Sequence, residues 1–504
     1  MKQVGFGKIV RIVAVFAMAA TVAATAQTYT NLFNFTQTTG LLPSGPLVQG
    51  MNGNLYGVTS QGGGPSRCPS GPAGCGTVFE ITPEGQLTTL YNFCQQTYCP
   101  DGAYPWNGLV LATNGNFYGT TMDGGAMGGG TIFEITPEGK FTRLYSFCSF
   151  EKSVSCPDGE SPSGALMQAA NGNLYGVTSG GGDYTNCPGR PGGCGLIFQI
   201  TMAGKYNTFH IFPCSTRTEC PDGALPQTGL IQAANGNYIG TTSEGGQNRA
   251  GFVYEITPAD KMAILYNFCS QANCSDGTVV VGPPIQAANG TLYGLTQFGG
   301  TSGSGVIYDL TLTKKFTDLY DFCVTGCLAD PAGLLQATDG DFFGITDFGG
   351  TSTFCRGGCG VLYQMTSAGA LNTLYSFCSQ TNCADGGLPA GLIQATNGMF
   401  YGTNNTGGTA CQSCGTIFSF SMGFAPFVQA NPNFARVGQA VTILGNNLMD
   451  TTSVTFNGIS ATFTVGSRGT YLKATVPAGA TTGTIQVKTP AGRLHSNVKF
   501  HVIP

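Results

Sequence analysis

The chain has 504 residues, of which 9% are charged, 78 are glycine and 20 are cysteine, with a formal net charge of −4. So weak a charge without a basic cluster gives no footing for nucleic acid, and three histidines leave almost nothing for a mixed Cys/His zinc centre. Glycine is about twice its ordinary share, but regularly spaced aromatics, 11% of the chain, point to a packed all-β protein rather than disorder.

Residues 1–26 read as a secretory signal peptide. Lys2, Lys8 and Arg11 precede an apolar run, Ile12 to Val22, and Ala24-Thr25-Ala26 supplies small residues for cleavage before Gln27. No later apolar run reaches about 20 residues, so no membrane span is expected after cleavage. The mature protein is expected to be secreted or held at a bacterial cell surface.

Downstream one pattern returns seven times. NGNLYG at Asn52 recurs as NGNFYG (Asn114), NGNLYG (Asn171), NGNYIG (Asn235), NGTLYG (Asn289), DGDFFG (Asp339) and NGMFYG (Asn397), about 50 to 64 residues apart. Asn-Gly favours a tight hairpin turn, so each copy opens a strand. In the copy around Asn114 the alternation predicts four strands, at 108–112, 116–121, 131–136 and 140–147. The fourth carries an aromatic run such as Leu90-Tyr91-Asn92-Phe93, and a seventh such run, Leu32-Phe33-Asn34-Phe35, stands alone at the start of the mature chain. The chain thus begins on a fourth strand and completes its last repeat without one. Residues 27–422 are expected to form a seven-bladed β-propeller closed by the N-terminal strand.

All twenty cysteines fall into close pairs, which in an exported chain read as local disulfides. Six pairs follow the aromatic run: Cys94-Cys99, Cys148-Cys156, Cys214-Cys220, Cys269-Cys274, Cys323-Cys327 and Cys378-Cys383. Four lie between the second and third strands: Cys68-Cys75, Cys187-Cys194, Cys355-Cys359 and Cys411-Cys414. The last has redox or zinc spacing, but it fills the slot that wider pairs fill elsewhere. Since strand direction alternates, both loop classes should emerge on one face, with only short turns on the other. Binding is expected on the stapled face.

Candidate ligand-binding residues follow from two features. Asp101, Asp158, Asp222, Asp276 and Asp385, with Asp330 before a proline, stand where an innermost strand begins, and could ring a channel mouth to hold a cation or sugar hydroxyls. Asp-Gly is equally a turn former that a repeat would copy, and both readings stay open. Trp106, the sole tryptophan, preceded by Tyr104, stands where other copies have Ser44, Ser163, Ala332 and Ala390, and either fills a gap or offers a stacking surface. The first copy, Phe35 to Gly40, lacks cysteines and Asp-Gly. Strand tyrosines such as Tyr56 and Tyr118 are expected to pack between blades, and His210 to be a tolerated replacement without a polar partner. No catalytic, cofactor or metal residues are assigned; whether the chain is an enzyme stays open, on balance against, and glycans or surface proteins are the expected partners.

Near Gly423 the repeat stops. Residues 425–504 lack cysteine and show short strands split by Gly445-Asn446-Asn447, Asn457-Gly458 and Pro477-Ala478-Gly479, a β-sandwich pattern. Val437 to Gly445, Val454 to Gly458 and Val476 to Gly483 resemble the IPT/TIG immunoglobulin-like module. The GLIQA-x-NG-x-LYG-TT-x-x-GG and GTIFEITP-x-G segments resemble the GloVer repeat of choice-of-anchor bacterial surface proteins over roughly residues 29–422. That resemblance implies export and repeat architecture, and no particular activity; this chain ends at Pro504 in the sandwich pattern, without a sorting tail. The leading functional expectation is a surface binding or structural module, the alternative a lectin-like or carbohydrate-active protein.

Overall fold

The computed structural model describes residues 27–503 apart from 65–67, 69–73, 150–155, 183–186, 188–192, 215–219, 221–222, 323–329 and 412. The signal peptide, Asp222 and the pair Cys323/Cys327 lie outside the described residues. What is described is all-β, with single 3₁₀ turns at Ala272–Cys274 and Thr381–Cys383.

Each repeat forms an antiparallel sheet in chain order. In the first, Leu41–Gln49, Leu55–Gln61, Thr77–Ile81 and Leu87–Asn92 pair in turn. The second strand of each repeat is almost wholly buried, and its sequence explains how: the glycine of the LYG motif leaves room for an aromatic ring across the strand. A Cβ on Gly57 would stand 2.6 Å from the Phe79 ring, and on Gly119 the same distance from Phe133. Any side chain there would displace a buried ring.

Successive sheets touch along their first strands, and the last, Gly387–Gln394 with Phe400–Thr406, packs against Leu41–Gln49 of the first. The circuit of sheets therefore closes. Strand β1, Thr28–Asn34, does not belong to the first sheet; it pairs antiparallel with Thr416–Ser421 and supplies the fourth strand of the last. Tyr29 of β1 stacks on Tyr375 with ring centroids 4.1 Å apart, as Tyr91 stacks on Phe141 and Tyr266 on Phe316. The borrowed strand reproduces the contact that covalently continuous repeats make.

First strands start earlier than the alternation suggests. Strands of nine residues at Leu41–Gln49, Glu160–Gln168 and Thr278–Gln286 include the residues before the glycines. In the second repeat the strand is split into Ala103–Pro105 and Val110–Leu111, both pairing with Phe117–Asp123. The register shift between Ser44 and Val48 shows why: Gly and Pro bulge the strand midway, and the alternation breaks there.

On the Asn-Gly turn side, neighbouring sheets are tied by an amide relay. The Gln232 carboxamide accepts from the Ala170 N–H at 2.9 Å, and Gln286, Gln336, Gln394, Gln49 and Gln168 make the same bond to Ala234, Ala288, Thr338, Thr396 and Thr113. In the second sheet Leu111 takes the glutamine's place. There the C-terminal region docks instead: Asn431 Nδ2 donates to the Leu111 carbonyl (2.9 Å) and Thr470 Oγ1 to the Met51 carbonyl (2.6 Å), while Leu444 and Tyr471 join the cluster around Tyr56 and Phe117.

That C-terminal region consists of two four-stranded sheets and a two-stranded parallel pair, Phe434–Arg436 with His501–Ile503. Val441, Ile443 and Leu472 of one sheet face Val454, Phe456, Ile485 and Val487 of the other across a core of their own.

Candidate binding face

The cysteine loops organise the junctions between sheets. Among the described residues, six junctions reach the next first strand through a non-glycine residue in the left-handed region: Leu42, Tyr104, Ser161, Leu225, Val279 and Leu388, with φ between 51° and 59°. For an L-residue this conformation costs roughly 1–2 kcal/mol. Something must hold it. Each of these residues donates its N–H to a carbonyl of the preceding sheet, at Cys414, Cys75, Gly129, Cys194, Ala250 and Cys359. Four of the six acceptors are the second cysteine of a disulfide between strands two and three. The staple fixes the acceptor that holds the strained junction.

Nine disulfides are formed, Cys68–Cys75, Cys94–Cys99, Cys148–Cys156, Cys187–Cys194, Cys214–Cys220, Cys269–Cys274, Cys355–Cys359, Cys378–Cys383 and Cys411–Cys414, and no described cysteine is free. Where one repeat carries both kinds of pair, they meet: Cys194 Sγ lies 3.0 Å from Cys214 Sγ, and Cys75 and Cys359 sit close to Cys94 and Cys378. The two loop classes thus share one face. These sulfur clusters have metal-like spacing, but their sulfurs are bonded to one another, and thiolate is the metal-binding form.

The candidate carboxylates are placed differently from the expected ring. Asp101 accepts from Tyr91 Oη (2.8 Å) and the Cys94 N–H (3.0 Å). Asp158 accepts from Tyr145 Oη, Ser149 N–H and Ser149 Oγ at 2.7, 3.1 and 2.9 Å. Asp276 does so from Tyr266 and Ser270, and Asp385 from Tyr375 and Ser379. Asp158, Asp276 and Asp385 are buried. Burial, with the carboxylate adding to it, holds the Tyr91, Tyr145, Tyr266 and Tyr375 hydroxyls well above the usual phenol range, as donors. Through these bonds the aspartates tie the cysteine loop back to the fourth, edge strand, and Oδ1 of Asp101 and of Asp158 is buried without a hydrogen-bond partner. The copy at Phe35 to Gly40 makes its turn with threonine instead, Thr36 and Thr39 exchanging hydroxyl bonds at 2.9 to 3.0 Å.

Asp330 does not belong to that series. It precedes Pro331 where Leu388 precedes Pro389, and residues 323–329 leading to it lie outside the described residues. Gln297 Nε2 donates to it at 2.9 Å, and its carbonyl accepts from the Asp347 N–H at 2.7 Å. Burial, then the Asp330 charge, pushes the Asp347 carboxyl up to about 7. This unequal pair was hidden in the sequence because Asp347 stands in a position filled by Met, Ser, Gln or Asn in other repeats.

Tyr104 and Trp106 are separated in role. Tyr104 is half-buried in the strained junction with its hydroxyl 3.0 Å from Cys68 Sγ, so it is no stacking surface. Trp106 is 48% exposed. It is not alone: among the described residues of the repeat region, Tyr98, Met127, Ile211, Phe298 and Phe354 are also exposed, all in cysteine-side loops or at strand ends leading into them. Sequence reading singled out only the tryptophan; exposed loop phenylalanines carry no periodic signal.

His210 has a partner after all. Its Nδ1 lies 2.8 Å from Asp260 Oδ1. In this junction histidine replaces the stacking tyrosine and Met262 the ring it would stack on, so a polar contact replaces an aromatic one. Tyr56, by contrast, stacks on Phe117 of the next sheet at 4.0 Å.

No curated protein matches the chain. Among solved structures it is similar to a fungal alcohol oxidase in complex with copper, at 12% identity over 95% of this chain and 99% of that one, with a TM-score of 0.49. A luciferin-regenerating enzyme (10% identity, 80% and 98% covered, TM-score 0.38) and a gluconolactonase from Xanthomonas campestris (12%, 77% and 90%, 0.36) are also similar. No activity is carried over from them. The repeat itself has a clearer counterpart: the profile described as the Gloeobacter/Verrucomicrobia repeat matches residues 14–234 and again 226–472. With its sheet-by-sheet repetition matched in sequence over most of its length, the chain belongs to the Gloeobacter/Verrucomicrobia repeat family.

Proposed function

We propose that this protein is an exported binding module of the cell surface: residues 27–422 a seven-bladed β-propeller closed by β1, residues 425–504 an immunoglobulin-like IPT/TIG domain, and the cysteine-loop face the contact surface. The observation that carries the reading is the exposure of Tyr98, Met127, Ile211, Phe298 and Phe354 in or beside the cysteine loops, with Trp106 exposed at the break in the second sheet's first strand. Exposed apolar side chains gathered on one side of a soluble fold mark contact sites. The local disulfides and the tyrosine–aspartate ties hold the loops that present them, which lowers the ordering cost of binding. Localisation at the surface is supported by the disulfides, which persist in oxidising compartments.

A second reading, lectin-like, rests on Trp106, whose half-exposed indole could stack on a sugar ring. Asp276 and Asp385 are withdrawn from it, because both oxygens of each are engaged within the loop, while Asp101 and Asp158 are engaged through Oδ2 only. An array of glycans and polysaccharides probed with the mature protein and with Trp106→Ala tests it. Binding lost in the variant supports a sugar ligand; no binding to any glycan rejects that reading and leaves a surface protein as the partner.

A further inference from the structure

On the opposite side of the molecule, between the Asn-Gly turns and the C-terminal region, lies a cavity of about 700 Å³. It arises from asymmetric docking. The C-terminal region is bonded to Met51, Leu111 and Thr396, in the first, second and last sheets, and overhangs the third, fourth and fifth. Its volume is that of a small-molecule site, and domain interfaces are where such sites concentrate.

The floor and the roof differ in chemistry. The floor is formed by first-strand residues of the repeat sheets, including Val110, Leu166, Leu230 and Ile285. The floor amides are committed elsewhere: Gln232 and Gln286 each accept from the neighbouring turn and donate to the carbonyls of Gly236 and Gly290, and Gln168 does the same with Thr113 and Gly172. Leu166 and Leu230 are nearly buried, so the carbon this floor offers a ligand comes from half-buried residues such as Val110 and Ile285. The roof brings Lys499 and His501 among amide and hydroxyl side chains that include Gln429, Asn433, Thr482 and Asn497, and none of the described lining residues is acidic. Burial, then the Lys499 charge, lowers the His501 pKa, leaving Lys499 as the one fixed positive charge in the lining.

A sugar, with hydroxyls on every side, or an extended peptide, with amides on both edges, would leave polar groups unpaired against such a floor. A molecule with one hydrocarbon side and an anionic head would not. We infer that the cleft binds an amphiphilic carboxylate, its alkyl chain laid on the floor that Val110 and Ile285 help to form and its head group on Lys499.

Calorimetric titration of the whole mature protein with dodecanoate, below its micellar concentration, tests this. Saturable binding of one equivalent is expected, weakened at least about tenfold in Lys499→Glu, since reversing the partner of a charge pair costs more than the 1.4 kcal/mol that corresponds to that factor. Lys499→Met, which keeps the aliphatic stem, serves if the charge reversal lowers the melting temperature. Trp106→Ala, on the other face, should bind dodecanoate as the wild type does, so this site stands or falls apart from the loop-face reading. Absence of saturable binding, or equal binding by the wild type and both Lys499 variants, overturns the inference.

Discussion

The two faces of the sheet circuit solve one problem by different chemistry. On the cysteine side, six described junctions bend through a left-handed residue, and each is held by a backbone bond whose acceptor is, in four cases, anchored by a disulfide. On the turn side, the tie is a glutamine reaching across to the next sheet's backbone, with no covalent help. Covalent anchoring frees the loop side chains from structural duty, so they can be exposed and varied. Side-chain ties cannot be exposed in the same way, and where one is missing, at Leu111, the C-terminal region bonds to the backbone carbonyls of Leu111 and Met51.

The largest expected effect breaks both faces at once. Removing Thr28–Asn34 strips the last sheet of its fourth strand and the Tyr29–Tyr375 stack. The melting temperature should fall by more than about 10 °C, corresponding to several kcal/mol; an unchanged melt would mean that β1 does not close the circuit. Next comes the cysteine side. Replacing Cys187 and Cys194 together by serine should cost about 2 kcal/mol, by loop entropy and by loosening the acceptor for Leu225. On the turn side, Gln232→Ala leaves the Ala170 N–H unpaired and should cost about 1 kcal/mol, without altering sensitivity to reductant. Chemical denaturation of the two variants, with and without reductant, separates the two kinds of tie.

The smallest effect concerns the pair Asp330 and Asp347. Asp347 has a folded-state pKa of about 7 against 3.8 unfolded, a raised value. Its contribution is therefore fully present below about pH 4 and is lost as pH rises through 7. Melting curves at pH 5 and pH 8 should differ less for Asp347→Asn than for the wild type; equal differences would place the pH dependence elsewhere.

Much of the repeat architecture was legible because its determinants are local and copied. Asn-Gly turns, the LYG glycine and paired cysteines recur at fixed offsets, and each encodes a turn, a ring-sized gap or a staple. What was not legible depends on which neighbour a side chain meets. Asp-Gly is the same dipeptide whether its carboxylate faces a channel or a tyrosine, and only packing against Tyr91 or Tyr266 decides. Asp330 looked like a member of that series until the strand register aligned it with Leu388. His210 found Asp260 fifty residues away, across a junction that spacing alone does not describe. The cleft was equally invisible, since it exists only between the turns and a domain docked off-centre.

The central claim is that the cysteine-loop face is the contact surface, and oxidative footprinting of the protein bound to intact cell envelopes tests it most directly. Tyr98, Trp106, Met127, Phe298 and Phe354 report on that face and Met449 on the exposed C-terminal region. Protection of the loop-face residues with Met449 still reactive is the predicted result. Protection of Met449 while Trp106 and Met127 stay fully reactive would contradict the account and move the contact surface to the C-terminal domain.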